Sequence, residues 1–277
     1  MANILLADDG IEFDALTLKS SPLGGVESSI IHLTSEFAKR GHKVQVRNRC
    51  KNALDHLGVE WRPIEQGDWP DKVDLYIANR GDKLINRMPN AGNTIFWIHN
   101  SAQYLLKWRY LSKLFRVKPV IVFIGSYHAS TYPKWAPGGK RIIIPYGIPD
   151  IFCDVELKKN PPKKRAIFTS NPLRSLDWLL ELWVNRIEPK VAGAELHLFS
   201  GAKTYGSFGD KKTDQIEEII TKAQGYSSHG VRVRDPITKL ELVDEFNLAR
   251  CMLYRGDLDE TFCLAVGEAQ ASGVPAV

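Results

Sequence analysis

Two carboxylates, Glu260 and Glu268, stand eight residues apart and bracket the segment Thr261-Phe262-Cys263-Leu264-Ala265-Val266-Gly267. A run of small residues follows, Ala269-Gln270-Ala271-Ser272, and then Gly273 and Pro275, a pairing that stops a helix. Thr261 is placed to cap that helix with its hydroxyl. Residues 260–264 would then present unpaired backbone N–H groups and the positive end of a helix dipole, where an anion such as phosphate is stabilised. Glu268 falls about one turn inside the helix, on or near the face that closes the same pocket. A carboxylate there offers paired acceptors to hydroxyl groups. The chemistry that fits is the binding of a nucleoside diphosphate flanked by hydroxylated sugars.

The elements that must hold this segment alternate along the chain. Strands are expected at 3–7, 43–46, 73–78, 94–98, 120–124 and 141–145, with helices at 25–40 and 102–115 between them. The helix at 25–40 carries Val26, Ile30, Leu33 and Phe37 at helical spacing. A polar, proline-bearing linker is expected at 154–164. The alternation then resumes: strand 165–169, helix 173–187, strand 195–199, a polar loop at 203–212 and a helix through Lys222. It ends with strand 231–233, helix 239–248, strand 251–254 and the helix that follows Glu260. Such alternation predicts α/β architecture with parallel sheets in two domains, 1–153 and 165–277. The second domain ends inside an expected strand, so it is read as incomplete, truncated at the C-terminus. In such folds ligands sit at the carboxyl ends of strands.

Composition narrows the class. The chain has 277 residues, 44% hydrophobic and 25% charged, as in ordinary globular proteins, and a net charge of +5 that suits anionic ligands without specifying one. No apolar run is long enough to span a membrane, and the N-terminus reads as a strand and not as a leader peptide. Cys50, Cys153, Cys251 and Cys263 are scattered without metal-ligand spacing, which suits free thiols in a cytoplasmic protein.

The segment Glu260-Thr261-Phe262-Cys263, with Glu268-Ala269 and the Gly273-Val274-Pro275 ending, resembles the Glu-x7-Glu signature of retaining glycosyltransferases of the group 1 (family 4) type. That family has the GT-B fold, two Rossmann-like domains with parallel sheets. The resemblance implies transfer of a sugar from a nucleotide-diphosphate sugar, UDP- or GDP-linked, to an acceptor hydroxyl, without a metal and without a separate cofactor. It implies a role in glycan, lipopolysaccharide or glycolipid assembly at a carbohydrate or lipid-linked acceptor. It places the donor phosphates against the backbone of Phe262, Cys263 and Leu264, the ribose hydroxyls on Glu268 and the donor sugar on Glu260.

Further candidates are read against plainer roles. Gly24-Gly25 opens a helix after the first strand, and glycines there allow close backbone approach to a ligand, although a flexible turn would look the same. The resemblance puts this loop beside the donor phosphate. His99 follows the apolar run 95–98, where a neutral imidazole could bond a sugar hydroxyl or merely pack; the resemblance puts it near the transferring carbon. Arg174 lies between an expected strand and helix and could clamp a diphosphate. The family's Gly-Arg and Lys-Gly pairs are not intact around it, and Arg255 stands where it could compensate. Within 104–118, Tyr104, Trp108, Leu111 and Phe115 share one helical face, and Arg109, Lys113 and Arg116 the other. Packing against the core and peripheral contact with the inner face of an anionic membrane both remain open. Two other functions stay open as well: a different enzyme on a similar scaffold, and a non-catalytic glycosyltransferase-like subunit that binds a nucleotide or a partner.

Overall fold

The computed structural model describes residues 1–154, 162–201 and 212–277. The centre of the expected linker, 155–161, and the expected loop at 203–211 lie outside them. In chain order the described elements are β1 Asn3–Asp8, α1 Thr17–Ser20, α2 Gly25–Lys39, β2 Lys43–Asn48, β3 Leu54–His56, β4 Val59–Pro63, β5 Leu75–Asn79 and β6 Asn93–Trp97. Next come α3 Trp108–Val117, β7 Val120–Phe123, α4 Ser126–Ser130, β8 Arg141–Ile143, β9 Arg165–Phe168, α5 Leu176–Leu182, β10 Glu195–Phe199 and α6 Thr213–Gly225. The last four are β11 Val231–Arg234, α7 Lys239–Leu248, β12 Cys251–Met252 and α8 Leu264–Ala271.

The chain forms two compact units. One comprises 1–16, 26–147 and 259–262, and the other 17–25, 148–258 and 263–277. The first unit holds an eight-stranded sheet in the order β3-β4-β2-β1-β5-β6-β7-β8, and the second a four-stranded sheet in the order β11-β10-β9-β12. All pairings are parallel except β3 with β4. A parallel strand is covered on both faces and so reads as a continuous apolar run. In β1 every residue from Ile4 to Asp8 is buried. The core of the first unit joins Leu5, Tyr76 and Phe96 from the sheet to Leu105, Tyr110 and Leu114. The second unit has two clusters on its sheet: Phe168, Leu180, Trp183 and Leu196, and Phe152, Phe246, Met252 and Ala269.

Several expectations needed correction. The hairpin β3–β4 was not foreseen; its turn places Leu57 and Gly58 at φ 49° and 77°, and Val59 and Trp61 are buried while Glu60 is exposed. The helix expected at 102–115 is a 3₁₀ turn, Ala102–Leu106, followed by α3. Trp108 and Phe115 on α3 are 80% and 67% exposed, whereas Lys113 binds Asp82 at 2.9 Å. Tyr110 and Leu114 provide the buried face instead. The helix expected at 173–187 starts only at Leu176, because Ser175 adopts a left-handed conformation, and it closes through a π turn at Trp183–Ile187.

Candidate functional site

In the second unit, α8 takes its place from small and apolar residues. Ala269 and Val274 join the cluster around Phe152, Phe246 and Met252, and the Ser272 hydroxyl donates to the Phe152 carbonyl. Its end is a Schellman stop: Val274 N–H bonds the Ala269 carbonyl, Gly273 N–H bonds that of Gln270, and Gly273 has φ +76°. Its start differs from expectation. Cys263 is the N-cap, no side-chain oxygen bonds the first turn, and the Thr261 hydroxyl instead donates to the backbone carbonyl of His99 in the first unit, to which Thr261 belongs. Sulfur is a weak acceptor, so the Cys263 thiol, which faces the Ala265 and Val266 backbone groups, caps the first turn of α8 less strongly than an oxygen would.

Gly25, the first residue of α2, lies against Leu264, the first residue of α8. A Cβ at position 25 would come within 2.5 Å of Leu264 Cδ1. Both residues belong to the second unit, and the start of α8 there carries positive partial charge. Gly24 is half-buried beside Gly25. Arg174 is close enough for its charge to act on Tyr254 and Cys263; burial pushes both groups up, and Arg174 opposes it. Arg255 stacks over Trp178, with its guanidinium 4.7 Å from the ring centroid. Glu268 is buried, 2% exposed, and both its oxygens accept from Lys239 Nζ at 2.6 Å. Lys239 stands at the first position of α7, after a capping box between Thr238 and Glu241. It also lines a cavity of about 50 Å³ with Thr169, Phe199, Pro236 and Ile237. Thr169 Oγ1 is buried there without a hydrogen-bond partner.

In the first unit, His99 is buried and belongs to a continuous polar chain. Arg80 pairs with Asp8 at 2.9 Å and with Glu27 at 2.7 Å, and Asn79 Nδ2 donates to Asp8 at 2.6 Å. His99 Nε2 meets Asn79 Oδ1 at 2.6 Å, and the Tyr146 hydroxyl meets His99 Nδ1. Burial, then the charge of Arg80, then His128 hold the His99 pKa well below 6.5, so the ring is neutral. Burial raises the Tyr146 hydroxyl. Phe262 packs edge-on against Tyr146 with centroids 5.4 Å apart. Glu260 lies half-buried in the same segment, 259–262. The ten sequence candidates thus divide. His99, Glu260 and Phe262 belong to the first unit, and Gly24, Gly25, Arg174, Cys263, Leu264 and Glu268 to the second, as does the compensating Arg255.

No protein-family model and no curated protein sequence matches the chain. Solved structures do. A trehalose-6-phosphate synthase superposes with TM-score 0.72 at 10% identity, over 99% of this chain and 83% of that one. Sucrose-phosphate synthase from Thermosynechococcus elongatus gives 0.69 at 13% identity, over 100% and 80%. HepE from Anabaena, solved in complex with UDP and glucose, gives 0.68 at 12% identity, over 100% and 80%. The chain has the GT-B fold. At these identities the likeness concerns architecture, and residue roles must come from this chain's own geometry.

Within the GT-B frame, the sequence did not point to Asp8, Asn79, Arg80, Tyr146 or Lys239. Two signals were available. Asp8-Asp9 and Asn79-Arg80 put charge at the carboxyl ends of apolar strands, where ligand-side groups gather. Tyr146 and Lys239 carried no local signal, because their importance arises from what they touch.

Proposed function

We propose that the chain is a retaining glycosyltransferase that moves a sugar from a nucleotide-diphosphate sugar to an acceptor hydroxyl. The observation that supports this most is the start of α8 in the second unit, where Leu264 lies against Gly25 and the charge of Arg174 reaches Cys263. The first turn of that helix carries positive partial charge, and a diphosphate supplies the anion it favours. Arg174, whose charge reaches Cys263, is the cation assigned to the leaving phosphate. The backbone of Phe262, Cys263 and Leu264 is assigned to the phosphates, Glu268 to the ribose hydroxyls and Glu260 to the sugar ring as positive charge develops on it. His99, held neutral, is no proton acceptor in this scheme; the departing phosphate takes the acceptor's proton. No metal is assigned to the step, since Arg174 and the start of α8 offset the phosphate charge.

The fold's neighbours include the HepE complex with UDP and glucose, which favours a UDP-sugar as the first donor to test. Trp108 and Phe115, exposed on α3 beside Arg109 and Arg116, support peripheral contact with an anionic membrane and hence a lipid-linked acceptor. The deciding experiment measures nucleotide release from a panel of UDP- and GDP-sugars, with Glu260→Ala as control, and the anomeric configuration of any product by NMR. Turnover with retained configuration is expected. Nucleotide binding without turnover would instead favour a non-catalytic subunit, and an inverted product would overturn the retaining assignment.

A further inference from the structure

The hydrogens in the network around His99 can be assigned one after another. Asp8 is fully buried and bears Arg80 Nε at 2.9 Å and Arg80 Nη2 at 3.1 Å, while Glu27 takes the same guanidinium at 2.7 Å. A carboxylate held by a guanidinium can only accept. Asn79 therefore turns Nδ2 toward Asp8, at 2.6 Å, and Oδ1 toward His99. An amide oxygen also only accepts, so the hydrogen between Asn79 and His99 belongs to His99 Nε2. A neutral imidazole has one N–H, which leaves Nδ1 as a lone pair. The Tyr146 hydroxyl meets that lone pair and must donate to it.

We propose that Tyr146 is a positioning residue that holds His99 as the Nε2–H tautomer and fixes the orientation of its ring. The packing supports the assignment. The two rings lie within 4° of parallel, Trp97 packs edge-on against His99 at 4.8 Å, and Phe262 packs edge-on against Tyr146 at 5.4 Å. His99 is thus clamped through both ring nitrogens and through its carbonyl, which accepts from Thr261. Protonating Nδ1 would set an N–H against the hydroxyl hydrogen of Tyr146. Around the ring, Arg80 and His128 act electrostatically, Asp8 lies beyond Asn79, and Arg80 and Glu27 also act on Tyr146. With its hydrogen committed to His99, the phenol oxygen can accept but not donate, so the part of the network nearest Phe262 presents an acceptor.

The tautomer is independent of the glycosyltransferase reading, and only the kinetic part of the test rests on it. In protein labelled with ¹⁵N-histidine, ring correlation spectra should show His99 with its hydrogen on Nε2. Tyr146→Phe removes the donor to the neutral ring, and His99 should then titrate about one pH unit higher. The same substitution should lower kcat by about tenfold with KM within about twofold. A wild-type ring protonated at Nδ1 overturns the proposal without any variant. So does a Tyr146→Phe protein whose melting temperature falls while the His99 tautomer and titration stay put, which is what a merely structural tyrosine gives. Confirmed NMR shifts in a protein that releases no nucleotide would uphold the tautomer lock and sink the transferase assignment instead.

Discussion

Replacing Glu268 by glutamine keeps the shape of the side chain and removes the charge that faces Lys239. The pair is buried on one side and nearly so on the other, with side-chain exposures of 3% for Glu268 and 17% for Lys239. Breaking a buried pair by neutralising one partner costs about 3–5 kcal/mol, because the remaining charge is left without a partner. Lys239 keeps some access to solvent and can recover part of its hydration, so the lower end, about 3 kcal/mol, is expected. In urea, with a slope of about 2 kcal/mol/M, the unfolding midpoint should fall by about 1.5 M. The double substitution Lys239→Met with Glu268→Leu removes both charges and fills the site with apolar groups, and should return to within about 1 kcal/mol of the wild type. That recovered double variant should still lose nucleoside diphosphate affinity, because the proposed function assigns the ribose hydroxyls to Glu268. If Glu268→Gln costs less than about 1 kcal/mol, the two charges are better hydrated than their burial implies and the reasoning fails. If the double variant binds UDP as the wild type does, Glu268 has no part in nucleotide binding.

Further outcomes follow from other parts of the structure. His99, His128 and His197 all have pKa values lowered from 6.5, with burial the first cause in each. The unfolded chain takes up those protons first, so stability is full above pH 6.5 and falls below it. His99 alone should cost about 1.4 kcal/mol per pH unit until its folded pKa is reached. Urea midpoints between pH 7.5 and 5.5 check this, and a flat profile would contradict it. Gly25→Ala drives a methyl into Leu264 Cδ1 and should cost about 1–2 kcal/mol, with loss of nucleotide affinity; Leu264→Ala in the same chain should restore the stability. Replacing both Trp108 and Phe115 by serine should leave the urea midpoint unchanged, since both are exposed, and should abolish sedimentation with phosphatidylglycerol vesicles. Equal sedimentation of the wild type and this variant would remove α3 from any membrane role.

The larger part of the fold could be read in advance because parallel strands leave a strong mark. β1, β7 and β9 have short apolar runs at their centres, and their expected positions lie within one or two residues of the observed ones. Where the expectation failed, a local signal was outweighed or overlooked. Thr261 has the side chain of an N-cap, yet a backbone carbonyl from His99 took its hydroxyl, and the cap passed to Cys263. On α3, helical spacing singled out Trp108, Leu111 and Phe115, but periodicity does not say whether such a face turns inward. The core contacts came from Tyr110 and Leu114, and Trp108 and Phe115 were left outside.

The site was only half legible, for a reason that lies in sheet topology. The Glu260–Glu268 segment is contiguous, so its residues could be put forward as candidates from the sequence. The His99 network is assembled from residues that sit far apart in the chain and side by side in the sheet. The order β1-β5-β6 places Asp8 directly opposite Asn79, and Asn79 opposite Trp97, with His99 just past the end of β6. Each of these polar residues closes an apolar strand, and in isolation each looks like the place where a strand simply stops. Register turns three strand ends into one row, Arg80 then pairs with Asp8, and that pairing orders the hydrogens as far as Tyr146. No spacing rule applied to the sequence contains that register, because parallel neighbours are joined by crossovers whose length does not reveal the strand order. A polar residue at the carboxyl end of an apolar strand is therefore worth carrying forward as a site candidate even when nothing near it in sequence supports the assignment.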